Sequence, residues 1–481
     1  MTAWAATGRA RARAGTRLPW IAAAAPLAVG VGFLAATSPW VLICLAGVVC
    51  VALAIVRWPL GAMLVLLALR TASRSQFLDL LTVLAGGLAL VIAAPRLDGR
   101  RVWLPFALLL VLALASVPVH PSADEGVQPG WLYLPKLGTA YLPRMSVELL
   151  AWLRLASVLV AFLLAGWAVR DRKGLHAVVV ATLVSAVVPV AVGLRQFATG
   201  QFALHGGEKS IAGPFTHPNY FAFYLVVVLV VGIAAFMETR RVGVRTALGV
   251  LLALAGFCLL ETYTRGAWIG FAIAVMVLGA LRYRALFLAG IVALVLASFA
   301  FPGTVHKVSQ RFGDLSSRSA SASNSSWDWR TGEWRRMLHF GSERPLTGQG
   351  FGSYTRLTLR EFGTEDPQYP TLADPRHPAT TARGFAAHND YVRMFVETGV
   401  PGLLLWVAVL TGLATTALRL RRFDDLAPWA AASAALAVAL MVMSAADNIQ
   451  GYTVVLVYPA TLVGALVGAA ARKEARATAG R

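Results

Sequence analysis

Apolar runs, most of them about 17 to 22 residues long, recur from one end of this chain to the other, and each long run suffices to cross a bilayer as a helix. They fall near residues 20–36, 39–57, 58–70, 77–94, 103–118, 147–168, 174–197, 219–237, 244–261, 267–281, 284–301, 402–419, 427–446 and 452–471. The third is short and reads equally as a re-entrant segment. The pattern predicts an all-α, polytopic transmembrane helical bundle of about 12–14 spans. Polar residues interrupt it in short basic links and in three longer loops, at about 119–146, 198–218 and 302–399. The last is long enough for a subdomain of short helices. The chain divides into N-terminal transmembrane helices (1–190), a second helical group (191–301), the loop subdomain (302–399), and C-terminal helices with a tail (400–481).

Composition sharpens this picture. The 481 residues are 58% apolar and 14% charged, where a soluble protein is nearer a quarter charged. The formal charge of +20 is no sign of nucleic acid, because the surplus lies in links between spans. Arg57, Arg96, Arg100, Arg101, Arg170, Arg172, Lys173, Arg240, Arg241, Arg245, Arg282, Arg284, Arg419, Arg421 and Arg422 share one side if the spans alternate. That side is expected to be cytoplasmic, with both termini, and loop 302–399 extracytoplasmic. The basic start leads into an apolar run that another span follows at once, so it reads as a retained first helix. Cys44, Cys50 and Cys258 lie within apolar runs and have no metal-ligand spacing.

Loop 302–399 opens with a serine-rich piece at 316–326 that reads as flexible. An aromatic and basic amphipathic stretch from Trp327 to Leu338 follows, suited to the headgroup layer. The glycine-rich turn from Pro345 to Tyr354 lacks a Walker lysine and follows no strand, so it is not a phosphate loop. The loop ends at Ala386-Ala387-His388-Asn389-Asp390-Tyr391, where the chain re-enters an apolar run through Glu397-Thr398-Gly399-Val400-Pro401-Gly402. This reads as a short helix with Asn389 or Asp390 near its start, Gly399 as its stop, and Pro401 opening the next. His388 then sits at a membrane–water boundary, either as a capping residue or as a proton acceptor.

Charges at membrane depth are expensive and usually face a cavity or a partner. Arg265 lies in the tight link Thr262-Tyr263-Thr264-Arg265-Gly266-Ala267-Trp268, and both a snorkelling side chain and a functional one fit it. Arg195 closes a span at the same level, and Asp447 ends another. In Ala212-Gly213-Pro214-Phe215-Thr216-His217-Pro218-Asn219-Tyr220, Thr216 is a plausible N-cap and Pro218 the first helical residue. His217 reads as a packed loop residue more than as a catalyst. The alternating topology brings His388, Arg265, Arg195 and Asp447 to one face. Two guanidinium forks there match phosphate oxygens, a histidine beside them takes a proton from a hydroxyl, and a carboxylate orients the imidazole. No metal signature occurs on that side, so no metal and no cofactor are called for.

Three segments in this order, Gly213 to Asn219, Thr262 to Ala267 and His388 to Gly402, with the long loop between the second and third, resemble the O-antigen ligase and O-antigen polymerase superfamily. Arg330, Trp334 and the turn from Pro345 to Tyr354 resemble its large external loop, and the resemblance covers roughly residues 190 to 450. The link reads Thr-Arg-Gly where the family often has Ser-Arg-Gly. The resemblance implies a metal-independent, inverting glycosyltransferase in the bacterial inner membrane, working on the extracytoplasmic side in cell-surface polysaccharide assembly. Its donor would be a glycan on a polyprenyl pyrophosphate such as undecaprenyl pyrophosphate. Its acceptor would be a hydroxyl of another glycan, of a lipid A core or of a protein. His388 resembles the family's essential histidine, Arg265 an essential arginine for the donor pyrophosphate, and Arg195 a second one. Asp447, Asn389, Arg330 and His217 complete the set as supporting candidates. The rival reading is a multi-pass transporter of lipid-linked glycan or polysaccharide, which predicts an internal repeat and charges near mid-membrane. No repeat is evident, and the unusual charges gather at one face.

Overall fold

The computed structural model describes residues 39–71, 75–116, 147–205, 208–286, 326–362 and 386–479. The span expected near 20–36, most of that near 284–301, the loop at 119–146 and the serine-rich piece up to 325 lie outside them. The N-terminal part begins with α1 (Pro39–Arg57), α2 (Pro59–Leu69), α3 (Ser75–Leu81), a π turn (Thr82–Gly86), α4 (Gly87–Ala93) and α5 (Arg100–Ser116). Then come α6 (Val147–Ala168), α7 (Arg172–Val184) and α8 (Val187–Thr199), followed by a small antiparallel pair, β1 (Ala203–His205) and β2 (Glu208–Ser210). The central helices are α9 (Pro218–Glu238), α10 (Val242–Glu261) and α11 (Arg265–Leu281). Two helices of the long loop follow, α12 (Ser326–Glu343) and α13 (Tyr354–Phe362), and then α14 (Asp390–Leu420), α15 (Ala427–Ala446) and α16 (Thr453–Ala479).

The protein is an all-α multi-pass membrane bundle. Seven segments of the described chain are long and apolar enough to cross a membrane: α6, α7 with α8 as one run, α9, α10, α14, α15 and α16. Four shorter apolar helices accompany them. The segment near 58–70 is one of these. At about 1.5 Å per residue, the 11 residues of α2 cover roughly half a bilayer. The helix stops where buried Arg70 pairs with buried Asp79, and Ser157 and Thr453 complete the coordination of that carboxylate. Thr71 donates to the Ser185 carbonyl at the break between α7 and α8, 2.9 Å away. Thr71 thus satisfies an open backbone carbonyl at that break inside the bundle, which lipid would not do.

α16 lies at the centre and is buried along Thr453–Ala470. It packs against α6 through the small-residue spacing Gly464-Ala465-Leu466-Val467-Gly468. A Cβ at either glycine would collide with the Phe162 or Gly166 carbonyl of α6, so the two backbones approach as closely as such spacing permits. α14 has its break where the glycine stop was expected, at Gly399 with φ +67°. The exposed polar groups of that break are taken by the Pro345–Gly350 turn: Val400 N donates to Pro345 O at 2.8 Å, Gln349 N to Val396 O at 2.8 Å and Gly350 N to Glu397 O at 3.0 Å. The glycine-rich turn is therefore a clasp on α14, and it fixes the long loop to the bundle.

The helices alternate in direction. One end gathers Arg100, Arg101, Arg419, Arg422 and Glu474 around a common cavity. The other end brings together Asn219, Thr264, His388 and Asp447. The candidate functional site is at this second end.

Candidate functional site

Asp447 is the hub. It follows the last residue of α15 as its C-cap and is 1% exposed. Its Oδ1 accepts from the Asn448 amide at 2.8 Å and from the Tyr452 hydroxyl at 2.8 Å, and lies 3.1 Å from His388 Nδ1. Its Oδ2 accepts from the Asn219 side-chain amide. The Thr264 hydroxyl in turn donates to Asn219 Oδ1 at 3.1 Å. One carboxylate thus ties together the starts of α9, α11, α14 and α16 and the end of α15. Burial pushes the Asp447 carboxyl up, but the bond and charge of His388, the Asn448 amide and the Arg330 guanidinium outweigh it and hold the carboxyl below its usual range. A depressed carboxyl lends stability above its unfolded value near 4, lost only as pH falls through the folded value, so Asp447 is ionised at neutral pH. Burial and the Asp447 charge push the Tyr452 hydroxyl well up, which keeps it a donor.

His388 is the open member of the pair. Its side chain is 25% exposed against 2% for Asp447. With Asp447 ionised, Nδ1 carries the proton and donates to Oδ1, leaving Nε2 as an acceptor. The backbone at His388 is left-handed, φ +46°, as is Tyr263 at φ +51° in the link before Arg265. Non-glycine residues in that region carry about 1–3 kcal/mol of strain, which a surrounding structure holds in place. The restraint on His388 has two parts. Asn389 caps α14, its Oδ1 accepting from Tyr391 N at 3.0 Å and Val392 N at 3.2 Å. From the other side, Trp334 Nε1 donates to the Ala387 carbonyl at 2.6 Å. Arg330, one turn earlier on α12, donates to the Ala446 carbonyl at 3.3 Å. The loop helix thus grips the peptide before each member of the His388–Asp447 pair. The stretch expected along the headgroups puts one face on the bundle, with Glu333 and Met337 buried and Arg335, Arg336 and Leu338 outward.

Trp334→Phe keeps the ring and removes the donor. It is expected to lower kcat by up to about tenfold, the worth of one hydrogen bond, with KM unchanged, because the grip sets the pose of His388. Steady-state turnover of purified protein measures this, and an equal rise in KM would place Trp334 in substrate binding instead.

The remaining sequence-derived residues fall as follows. His217, not Thr216, is the N-cap of α9: its Nδ1 accepts from Asn219 N at 3.2 Å, with Pro218 at the first helical position as expected. An imidazole reaches the amide two residues on as a shorter oxygen side chain would. Burial lowers the His217 pKa; Asp447 opposes this, while His388 and Arg330 add to it. Arg265 is half-buried and opens α11, directly after Thr264 of the hub. Arg195 is exposed on α8, next to Gln196, whose side chain holds the Ala212–Gly213 turn. It is at the same end as the pair but is not part of the hub.

Four contributors were not singled out from sequence. Asn219 and Tyr452 complete the carboxylate's coordination. Arg393, on α14 five positions after His388, is held at 3.0 Å by fully buried Glu397, which also accepts the Tyr354 amide from α13. Arg154 stands in the apolar run of α6, about 10 Å below its start. The fields of Arg154, Asp447 and Arg393 meet at Tyr220, whose ring packs 3.6 Å from that of Tyr452. The stray charge in Leu153-Arg154-Leu155 was the available signal. Among the described residues, no group of three or more His, Cys, Asp or Glu side chains is placed to share a metal ion.

This arrangement defines a class: a multi-pass helical membrane protein with a histidine–carboxylate pair at one end of its bundle, gripped by a loop helix and flanked by arginines. Residues 248–407, a third of the chain, match the family model described as O-antigen ligase, in line with the resemblance drawn from the sequence. The matched segment runs from α10 to the middle of α14 and includes the Arg265 link, both loop helices and His388. No curated protein matches the chain.

Proposed function

We propose that the protein is a glycosyltransferase that moves a glycan from a polyprenyl-pyrophosphate carrier to an acceptor hydroxyl, with its reaction site at the His388 end and that end extracytoplasmic. The observation that carries this reading is the His388–Asp447 pair, with Nε2 on the open side of the imidazole. The acceptor oxygen attacks the anomeric carbon, its proton passes to His388 Nε2, and the bond from that carbon to the pyrophosphate breaks. The sugar inverts, and the carrier pyrophosphate leaves with the electron pair. Arg265 and the other arginines at this end balance the charge that grows on the leaving group, an electrostatic task that fixed donors perform without reorganisation. The site need only orient the two reactants and exclude water. The acceptor is a carbohydrate hydroxyl, as the family description suits.

The test is transfer by purified protein in vesicles supplied with lipid-linked glycan and a glycan acceptor. Appearance of a product one glycan longer, with free carrier pyrophosphate, supports the reading. Carriage of intact donor across the vesicle without bond cleavage would replace it with a transporter. Within this assay, Arg265→Lys keeps a charge but loses the two-pronged fork, and transfer is expected to fall by at least about tenfold. Near-normal transfer by Arg265→Ala at equal protein level would leave Arg265 as a snorkelling residue only.

A further inference from the structure

At the end of the bundle opposite His388, the start of α5, the end of α14 and the end of the apolar part of α16 line an open cavity of about 600 Å³. Its mouth carries Arg100, Arg101 and Arg419. Of the acids lining it among the described residues, Glu474 is already paired with Arg422, which leaves Asp98 facing the three remaining guanidinium groups. Below the rim the lining is apolar, through Val467 and its neighbours on α16. One polar atom stands in this apolar part. Thr416 is 8% exposed and lines the cavity, and among the described residues its hydroxyl has no hydrogen-bond partner. The other threonines of α14 behave differently: Thr398, Thr411 and Thr415 each donate to the carbonyl four residues back. A buried hydroxyl without a partner is costly unless something outside the chain supplies one.

We infer that this cavity binds the phosphate of an anionic lipid headgroup, with Arg100, Arg101 and Arg419 on the phosphate and Thr416 on an ester or glycerol oxygen beneath it. The guanidinium forks match phosphate oxygens. A basic pocket between spans at the membrane surface suits such headgroups, and the apolar lining accepts the start of the acyl chains. A choline headgroup would bring a fourth cation among three arginines and is disfavoured. The shared chemistry is a phosphate ester. The position at the level where spans end favours a lipid over a soluble phosphate. The cavity touches α14 and α16, whose far ends adjoin His388 and Tyr452, but uses neither residue, so the inference stands apart from the transfer reaction.

Native mass spectrometry of the full chain in detergent tests it, with phosphatidylglycerol, phosphatidylcholine, glycerol phosphate and inorganic phosphate as separate probes. The expected result is one tightly held phosphatidylglycerol per chain, weakened by salt, with phosphatidylcholine and both soluble phosphates far weaker. Changing Arg100, Arg101 and Arg419 together to Gln is expected to weaken phosphatidylglycerol about 100-fold, at roughly fivefold for each arginine near the surface. If the triple variant does not fold, Arg419→Gln alone, at an exposed side chain, carries the test with about a fivefold loss. Thr416→Val is expected to weaken binding by several-fold at most. Equal retention of both lipids, or retention of phosphatidylglycerol unchanged in the variants, would overturn the site. Binding of either soluble phosphate as tight as that of the lipid would overturn the lipid assignment.

Discussion

His388→Ala is expected to fold, insert and hold donor, yet to transfer glycan about 100- to 10,000-fold more slowly than the unchanged protein. The size follows from the role. His388 is the titratable side chain that combines a fixed carboxylate partner on one nitrogen with an open side on the other. Little stability is at stake in the side chain itself, because the hub of Asp447, Asn219, Tyr452 and Thr264 survives without it. The backbone adds only a small cost, because histidine adopts φ +46° somewhat more readily than alanine does. His217→Ala provides the comparison. It loses a helix cap of about 1 kcal/mol and is expected to leave turnover within several-fold of normal. Parallel turnover measurements with matched protein levels decide between them. Equal activity of His388→Ala and the unchanged protein would remove the mechanism, and a deeper defect in His217→Ala would move the base to the turn before α9.

Much of the bundle is legible because hydropathy and helix punctuation are local. The apolar runs locate most of the described bundle helices to within a few residues, but α14 and α16 are longer and the run near 174–197 is split into α7 and α8; Gly399 with Pro401 marks the break in α14. The short run near 58–70 betrays a half-length element by its length alone. The assembly of the site is less legible. Asp447 meets His388 across 59 positions and Asn219 across 228, and no periodicity encodes a bond of that span. The motif order pointed to the neighbourhood, but not to which side chain holds which. Thr216 looked the better cap by residue type, yet the chain turns one residue later and uses His217. The loop helix was read by its amphipathicity, which tells that one face is apolar but not what covers it. Trp334 and Arg330 are spent on two carbonyls of the bundle, a use that only the fold reveals. Arg70 and Asp79 are hidden for the same reason: each looks like an interruption at the edge of an apolar run, and only their pairing makes them an interior ion pair.

Asp447→Asn separates charge from shape. Asparagine keeps the volume and one carbonyl oxygen, so it can still accept from the Tyr452 hydroxyl or the Asn448 amide. It replaces the other oxygen with a donor. If that donor faces Asn219, it opposes an amide that now donates to Oδ2. If it faces His388, the imidazole turns over its protons and presents Nε2–H toward the acceptor, so the base is no longer a base. In either arrangement the negative charge that favours the imidazolium formed during transfer is gone. The expected loss in kcat approaches that of His388→Ala, about 100- to 10,000-fold, with donor binding retained because the arginines at this end are untouched. Combining the two substitutions is then expected to add little, since both remove one function. Transfer rates for the two single variants and the double variant measure this. Multiplicative losses in the double variant would mean that Asp447 acts on the structure of the hub rather than through His388. Near-normal kcat in Asp447→Asn would mean that the imidazole needs no carboxylate to accept the proton.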